Sequence, residues 1–143
     1  MARRKAMSRS EFAYFASLQT RWNDNDEFGH LYNVVYLELF DNAMNGWLME
    51  RGMLDYKGET PIPVVAESAC SYLSEVSYPD VVDIGTRLTR MGKTSFDLTL
   101  GMFREGSDAT AAIATFTLVF VSPDTHKPQR PPEHFLKAME QLA

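Results

Sequence analysis

An α+β fold with one antiparallel sheet is what this sequence predicts, and three observations lead there. A single long helix pattern, Val34 to Arg51, stands between one strand-like run and four later ones. Those runs repeat with period two instead of 3.6, so each has one face to bury. The later runs are joined by short links rich in turn residues, and strands joined by tight turns pair antiparallel. A doubly wound parallel sheet is therefore excluded. One apolar helix and an antiparallel sheet of about five strands satisfy each other if the sheet wraps around the helix. Sheet edges and an outer face are then left for an oligomer interface to cover.

The elements follow in chain order. Phe12 to Thr20 carries Phe12, Tyr14, Ala16 and Leu18 on one parity and reads as the first strand. A polar loop, Arg21 to Tyr32, leads into the helix, with Asn33 as N-cap and Gly52 as the residue that stops it. Glu38, Asp41, Asn42 and Asn45 make one narrow polar stripe on an otherwise apolar helix. Gly46 lowers helix propensity and suggests a close backbone approach. Beyond "DYKGETPIP" the period becomes two. Val64 to Val76 is strand-like but irregular, and Val82, Ile84 and Leu88 alternate cleanly with polar residues. Gly92-Lys93 marks a turn, after which Phe96, Leu98, Leu100 and Met102 share a face. Glu105 to Asp108 is a second turn, and Ala112, Ala114, Phe116, Leu118 and Phe120 line the last strand. After Pro131-Pro132, the spacing of Phe135, Met139 and Leu142 gives a short amphipathic helix over residues 132–142.

Length and composition bound the function. A chain of 143 residues makes a single domain, residues 1–143, able to bury a sizeable core. No apolar run approaches the roughly 18 residues of a membrane span. Net charge is −5, and beyond the first ten residues ten basic side chains face nineteen acidic ones. Phosphate backbones are poor partners for such a surface, so nucleic acid is set aside. The opening residues, 1–11, hold Arg3, Arg4, Lys5 and Arg9 with no apolar stretch behind them, and read as a frayed basic terminus rather than an export signal. The lone Cys70 cannot form an internal disulfide, in keeping with a cytoplasmic location.

Standard catalytic constellations are missing. The chain has no glycine-rich phosphate loop and no Gly-x-Ser-x-Gly elbow, and its three histidines are scattered, so a structural zinc site is not expected. Cys70 lies in a strand pattern and reads as an inert thiol. What remains is the loop before the helix. A carboxylate at a helix N-terminus stays ionised near neutral pH, and the free amides of the first turn can cradle an oxyanion. A carbonyl held there would lie beside a group able to attack it or to activate water, which suits acyl transfer. The competing reading is that Asp24 and Asp26 shape the loop through Asx-turns while Gly29 supplies a positive φ.

The run Arg21-Trp22-Asn23-Asp24-Asn25-Asp26-Glu27-Phe28-Gly29-His30-Leu31-Tyr32-Asn33-Val34-Val35-Tyr36, followed by Phe40 and Asp41, resembles the signature of hotdog-fold acyl-CoA thioesterases, in particular the 4-hydroxybenzoyl-CoA thioesterase family. The similarity extends over the strand-helix-strands order from Tyr14 to Val121. It implies a hotdog fold, hydrolysis of an acyl-CoA, no cofactor beyond the substrate's own coenzyme A, and a homodimer or homotetramer with active sites between subunits. By this resemblance Asp26 is the catalytic carboxylate, as nucleophile or general base. The Asn33 amide is the oxyanion donor, and Gly29 permits the turn between them. His30, Tyr32 and Tyr36 border the substrate pocket, while Lys93 and Ser95 correspond to a turn that meets coenzyme A phosphates in some members. Tyr32 stands where close relatives often carry Asn. Glu38 and Asp41 offer a second carboxylate source on the helix. Two other activities share these residues: a hydratase or dehydratase using His30 with Glu38 or Asp41, and a non-catalytic acyl-binding or carrier-protein-docking module. The acyl group is left open; Phe28, Tyr32, Tyr36 and Trp47 could line a pocket for aryl or fatty chains or be core.

Overall fold

A computed structural model describes residues 4–54 and 60–143. Five strands, β1 (Tyr14–Gln19), β2 (Ile62–Tyr72), β3 (Val81–Met91), β4 (Ser95–Arg104) and β5 (Ala112–Val121), form one antiparallel sheet in the order β1-β3-β4-β5-β2. The long helix α1 (Asn33–Glu50) and the short helix α2 (Glu133–Glu140) complete it. Period-two burial decides which face is inward. Phe96, Leu98, Leu100 and Met102 of β4 and the alternating Ala112 to Phe120 of β5 are fully or almost fully buried, and they share one core with Tyr36, Phe40, Met44 and Trp47 of α1. Among the described residues no helix is long and apolar enough to cross a membrane.

α1 begins at Asn33, so Tyr32 and not Asn33 occupies the cap position, with extended backbone. Its end is as expected. The amide of Gly52 bonds the carbonyl of Met49 and that of Met53 the carbonyl of Leu48, the paired bonds of a Schellman stop, with Leu48 and Met53 both buried. A Cβ at Gly46 would meet nothing within 4 Å, so the close approach expected there is absent. It occurs elsewhere. Gly85 and Gly101 are cross-strand partners, and a Cβ on either would lie within 2.7 Å of the Phe12 side chain. Phe12 thus lies against the outer sheet face over two positions that only glycine leaves open.

That placement corrects the expectation of a frayed terminus, residues 1–3 of which lie outside the described residues. Met7 and Thr110 exchange two hydrogen bonds, and the guanidinium of Arg9 bonds Asp83 at 2.8 Å and the Ser107 carbonyl at 2.7 Å while lying 4.9 Å from the Phe103 ring centroid. The segment is held because Phe103 and Ile113 point outward from the sheet and need cover. Arg9 pairs instead of remaining solvated, whereas Arg4 and Lys5 are exposed.

β2 is an edge strand, which explains its irregular pattern. Val64 and Val65 point to opposite faces and both are exposed, and the pairing with β5 slips between Val65 and Glu67. Although β2 precedes β3 in the chain, the two do not pair, because the link over residues 73–80 is no tight turn and carries the chain to the other side of the sheet. At the C-terminal end Phe135 packs against Phe120 and Phe96 at centroid separations of 4.4 and 5.5 Å, so α2 closes the sheet end remote from the α1 N-terminus.

Candidate active site

The loop between β1 and α1 is organised by two aspartates. Asp24 is buried, its side chain 1% exposed, and its carboxylate accepts from the backbone amide, Nε and Nη2 of Arg21 at 2.7 to 3.1 Å. The Asp24 carbonyl accepts from the Tyr32 amide at 2.8 Å, which fixes where the helix begins. Asp26 lies within a tighter ring. Its amide donates to the His30 carbonyl at 2.7 Å, its carbonyl accepts from Gly29, and its Oδ1 accepts from the amides of Phe28 and His30 at 2.9 and 3.3 Å. Gly29 closes the ring at φ +80°, in open space, so its role is backbone geometry. The Asx-turn reading therefore holds for Asp26. It employs one carboxylate oxygen, and no hydrogen bond among the described residues uses Oδ2.

The helix start supplies the complement. The Tyr32 amide is used by Asp24, and the Val35 amide bonds the Tyr32 carbonyl at 2.8 Å. The amides of Asn33 and Val34 lie between them, at positions that have no acceptor inside a helix and carry the positive end of its dipole. Asp26 and Asn33 both line a cleft of about 370 Å³, together with His30, Leu31, Tyr32, Tyr36, Tyr72, Leu73, Ser74 and Glu75. The His30 Nε2 lies 3.0 Å from Glu75 Oε2 at its rim. Tyr36, 4% exposed, accepts from the Val76 amide at 3.3 Å, and burial raises its phenol above the usual value. The Tyr72 ring meets Tyr36 edge-on at 5.0 Å, and its hydroxyl donates to the Asn33 carbonyl at 3.0 Å. Burial, helped by neighbouring Cys70, pushes the Tyr72 phenol up to about 12; burial likewise raises the Cys70 thiol, which keeps it an unreactive SH.

Of the residues singled out in the sequence, Asp26, His30, Tyr32, Asn33 and Tyr36 are brought together here, with Gly29 shaping the loop that carries them. Lys93 and Ser95 are not. Ser95 pairs with Val119 on β5 whereas Tyr72 pairs with Ala112, which separates the two by roughly 23 Å at 3.3 Å per residue. The Ser95 hydroxyl is also engaged by Arg90. Glu38 is half exposed and pairs with Arg21 at 3.3 Å, and neither it nor Asp41 lines the cleft. Phe28 is exposed and Trp47 is core. Tyr72, Leu73, Ser74 and Glu75 went unseen because they arrive from the end of β2, and no local pattern marks them. The strand-like run reaching Val76 was the only available signal. A larger cleft of about 640 Å³ adjoins through Ser74, but its walls carry Arg104 paired to Asp80 at 3.2 Å and no counterpart of the carboxylate and amide pair, so size does not locate the chemistry. Among the described residues no three His, Cys, Asp or Glu side chains are grouped to hold a metal ion.

Comparison with known proteins gives concordant findings. The family model of the thioesterase-like superfamily matches residues 20–139. The PA5185 protein of Pseudomonas aeruginosa strain PAO1, a solved structure, is 36% identical at a TM-score of 0.90, with 96% of each chain covered. A thioesterase from Thermus thermophilus, solved with coenzyme A and zinc, superposes at a TM-score of 0.74 and 23% identity, over 92% of this chain and 95% of that one. YsmA of Bacillus subtilis (strain 168), an uncharacterized protein, is 27% identical over 90 residues, which cover 63% of this chain and 60% of YsmA.

Proposed function

The chain belongs to the thioesterase-like superfamily, with its hotdog fold, and from that premise we propose that it hydrolyses the thioester of an acyl-CoA to the free acid and coenzyme A. One observation carries this reading: the Asp26 carboxylate, whose Oδ2 no hydrogen bond among the described residues uses, and the Asn33 amide at the helix start border the same cleft. The thioester carbonyl sits against the Asn33 amide, which stabilises the negative charge that develops on its oxygen. Either Asp26 attacks the carbonyl carbon, the thiolate of coenzyme A departs and water hydrolyses the resulting mixed anhydride to the free acid, or Asp26 takes a proton from an attacking water and the tetrahedral intermediate expels the thiolate. A thiolate is a good leaving group, so no strong general acid is required. The coenzyme A complex of the Thermus thermophilus protein supports this choice of carrier. A role for Lys93 with the nucleotide phosphates calls for the far end of the same extended molecule or for a second copy of the chain. With a reducing environment consistent with the lone Cys70, the activity is assigned to the cytoplasm.

The hydratase alternative required His30 with Glu38 or Asp41, and His30 pairs with Glu75 instead. The functional unit is proposed to be a dimer joined along β2, whose exposed valines and unpaired edge favour addition of another strand. Asp26→Asn preserves the oxygen that accepts from Phe28 and His30 but removes the carboxylate. Turnover of acyl-CoA, followed by thiol release across short, long and aromatic acyl groups, falls by at least about 10³-fold while binding persists. An unchanged rate removes Asp26 from the mechanism.

A further inference from the structure

We infer that Glu75 is a positioning residue for this reaction: by holding the His30 imidazole it steadies the loop segment, residues 26–30, that presents the Asp26 carboxylate to the cleft all three residues line. The inference rests on the hydrolase reading above. The loop is pinned at both ends of this segment. Asn25 and Leu31 face each other in an antiparallel bridge, Asn25 Oδ1 accepts from the Tyr78 amide at 2.9 Å, and the Leu31 amide donates to the Val76 carbonyl at 2.7 Å. Between these pins Glu27, Phe28 and Gly29 are exposed, and the hydrogen bonds of Asp26 go only to Phe28, Gly29 and His30 of its own segment. Among the described residues one hydrogen bond or ion pair joins residues 26–30 to the chain outside the loop, the 3.0 Å approach of His30 Nε2 to Glu75 Oε2.

His30 passes this restraint to Asp26 through the main chain. Its carbonyl accepts from the Asp26 amide at 2.7 Å and its own amide donates to Asp26 Oδ1 at 3.3 Å, so a displacement of His30 carries the carboxylate with it. The longer of these bonds is the weaker and yields first. Untethered, the segment rocks about its two pins, and a carboxylate displaced by about an ångström loses much of its effect on a bound carbonyl. The Glu75 and His30 side chains are 74% and 41% exposed, and a pair so open to water adds little to stability. Its contribution is therefore to direction. An acyl-CoA lying in the cleft excludes water from the pair and strengthens it when the carboxylate is in use.

A double-variant cycle tests the tether. In thiol-release kinetics Glu75→Ala and His30→Ala each lower kcat about fivefold with KM little changed, and the double variant loses no more, because each change removes the same link. Glu75→Gln still offers an oxygen to the imidazole N–H and recovers most of the loss. In 15N-labelled Glu75→Ala the Asp26 and His30 amides exchange with solvent faster than in wild type, at the same melting temperature. Unchanged kcat in Glu75→Ala, losses that multiply in the double variant, Glu75→Gln no better than Glu75→Ala, unaltered amide exchange or failure of a variant to fold each overturns the inference. So does a loss in His30→Ala well beyond that in Glu75→Ala with KM raised, the mark of an imidazole that meets the substrate itself. Wild-type protein that frees thiol from no acyl-CoA overturns the hydrolase reading instead; amide exchange then decides by itself whether Glu75 holds this segment.

Discussion

Asp24 and Asp26 stand two positions apart and do different work. Asp24 is enclosed and holds Arg21 with three hydrogen bonds, so it sets the shape of the loop. Asp26 is partly exposed and gives the loop only Oδ1. Asp24→Ala leaves the Arg21 amide without its acceptor and empties a buried site, which costs about 2 kcal/mol of stability, read as a lower urea midpoint. Asp26→Asn keeps its acceptor and shifts that midpoint little, so the two variants separate stability from turnover. Asp26 and Gly29 could be read from the sequence because their geometry is local, a side chain bonding amides two and four residues on and a glycine with positive φ. Tyr72 and Glu75 could not, since only the pairing of β2 with β5 brings them to a loop about forty residues earlier.

The elements differ in the same way. α1 and the inward faces of β3 to β5 announce themselves, because each buries one face and periodicity records burial. β2 and the N-terminal segment do not, the first for being exposed on both sides and the second for contributing isolated groups, the Met7 backbone and the Arg9 and Phe12 side chains, to a surface formed by other strands. Asp83 is where three of these pieces meet. Its carboxyl is held below the usual range first by the Ser17 hydroxyl of β1 and then by Arg9 of the N-terminal segment. A carboxyl with a lowered folded pKa stabilises fully above its unfolded value near 3.8 and loses that contribution as pH falls through the folded one. Resistance of wild type to urea should weaken as pH drops from 5 through 3, and Asp83→Asn should be less stable at pH 7 with a flatter acid dependence. Equal slopes for the two proteins would remove Asp83 from the acid response.

At the scale of the whole molecule, the exposed β2 edge predicts self-association. Val65→Lys puts a charge on the inner parity of that edge, where pairing with a second copy would bury it. Sedimentation should give a dimer for wild type and a monomer for the variant; a wild-type monomer at micromolar concentration would remove β2 as the joining edge. The α+β class and the antiparallel sheet were readable from the amphipathic pattern, whereas the strand order was not, because periodicity says which face is buried and nothing about which neighbour a strand chooses.

That strand order also sets a sequence of events in time. β3, β4 and β5 pair across short hairpins, but β1 meets β3 only when residues about seventy positions apart are joined, and β2 must await β5. Closing long loops is slow, so the three-stranded meander nucleates and the flanking strands are added afterwards. The loop bearing Asp26 follows β1, and Tyr72 ends β2, so the cleft is among the last parts of the chain to form. Substitutions there should accelerate unfolding while leaving the folding rate nearly untouched.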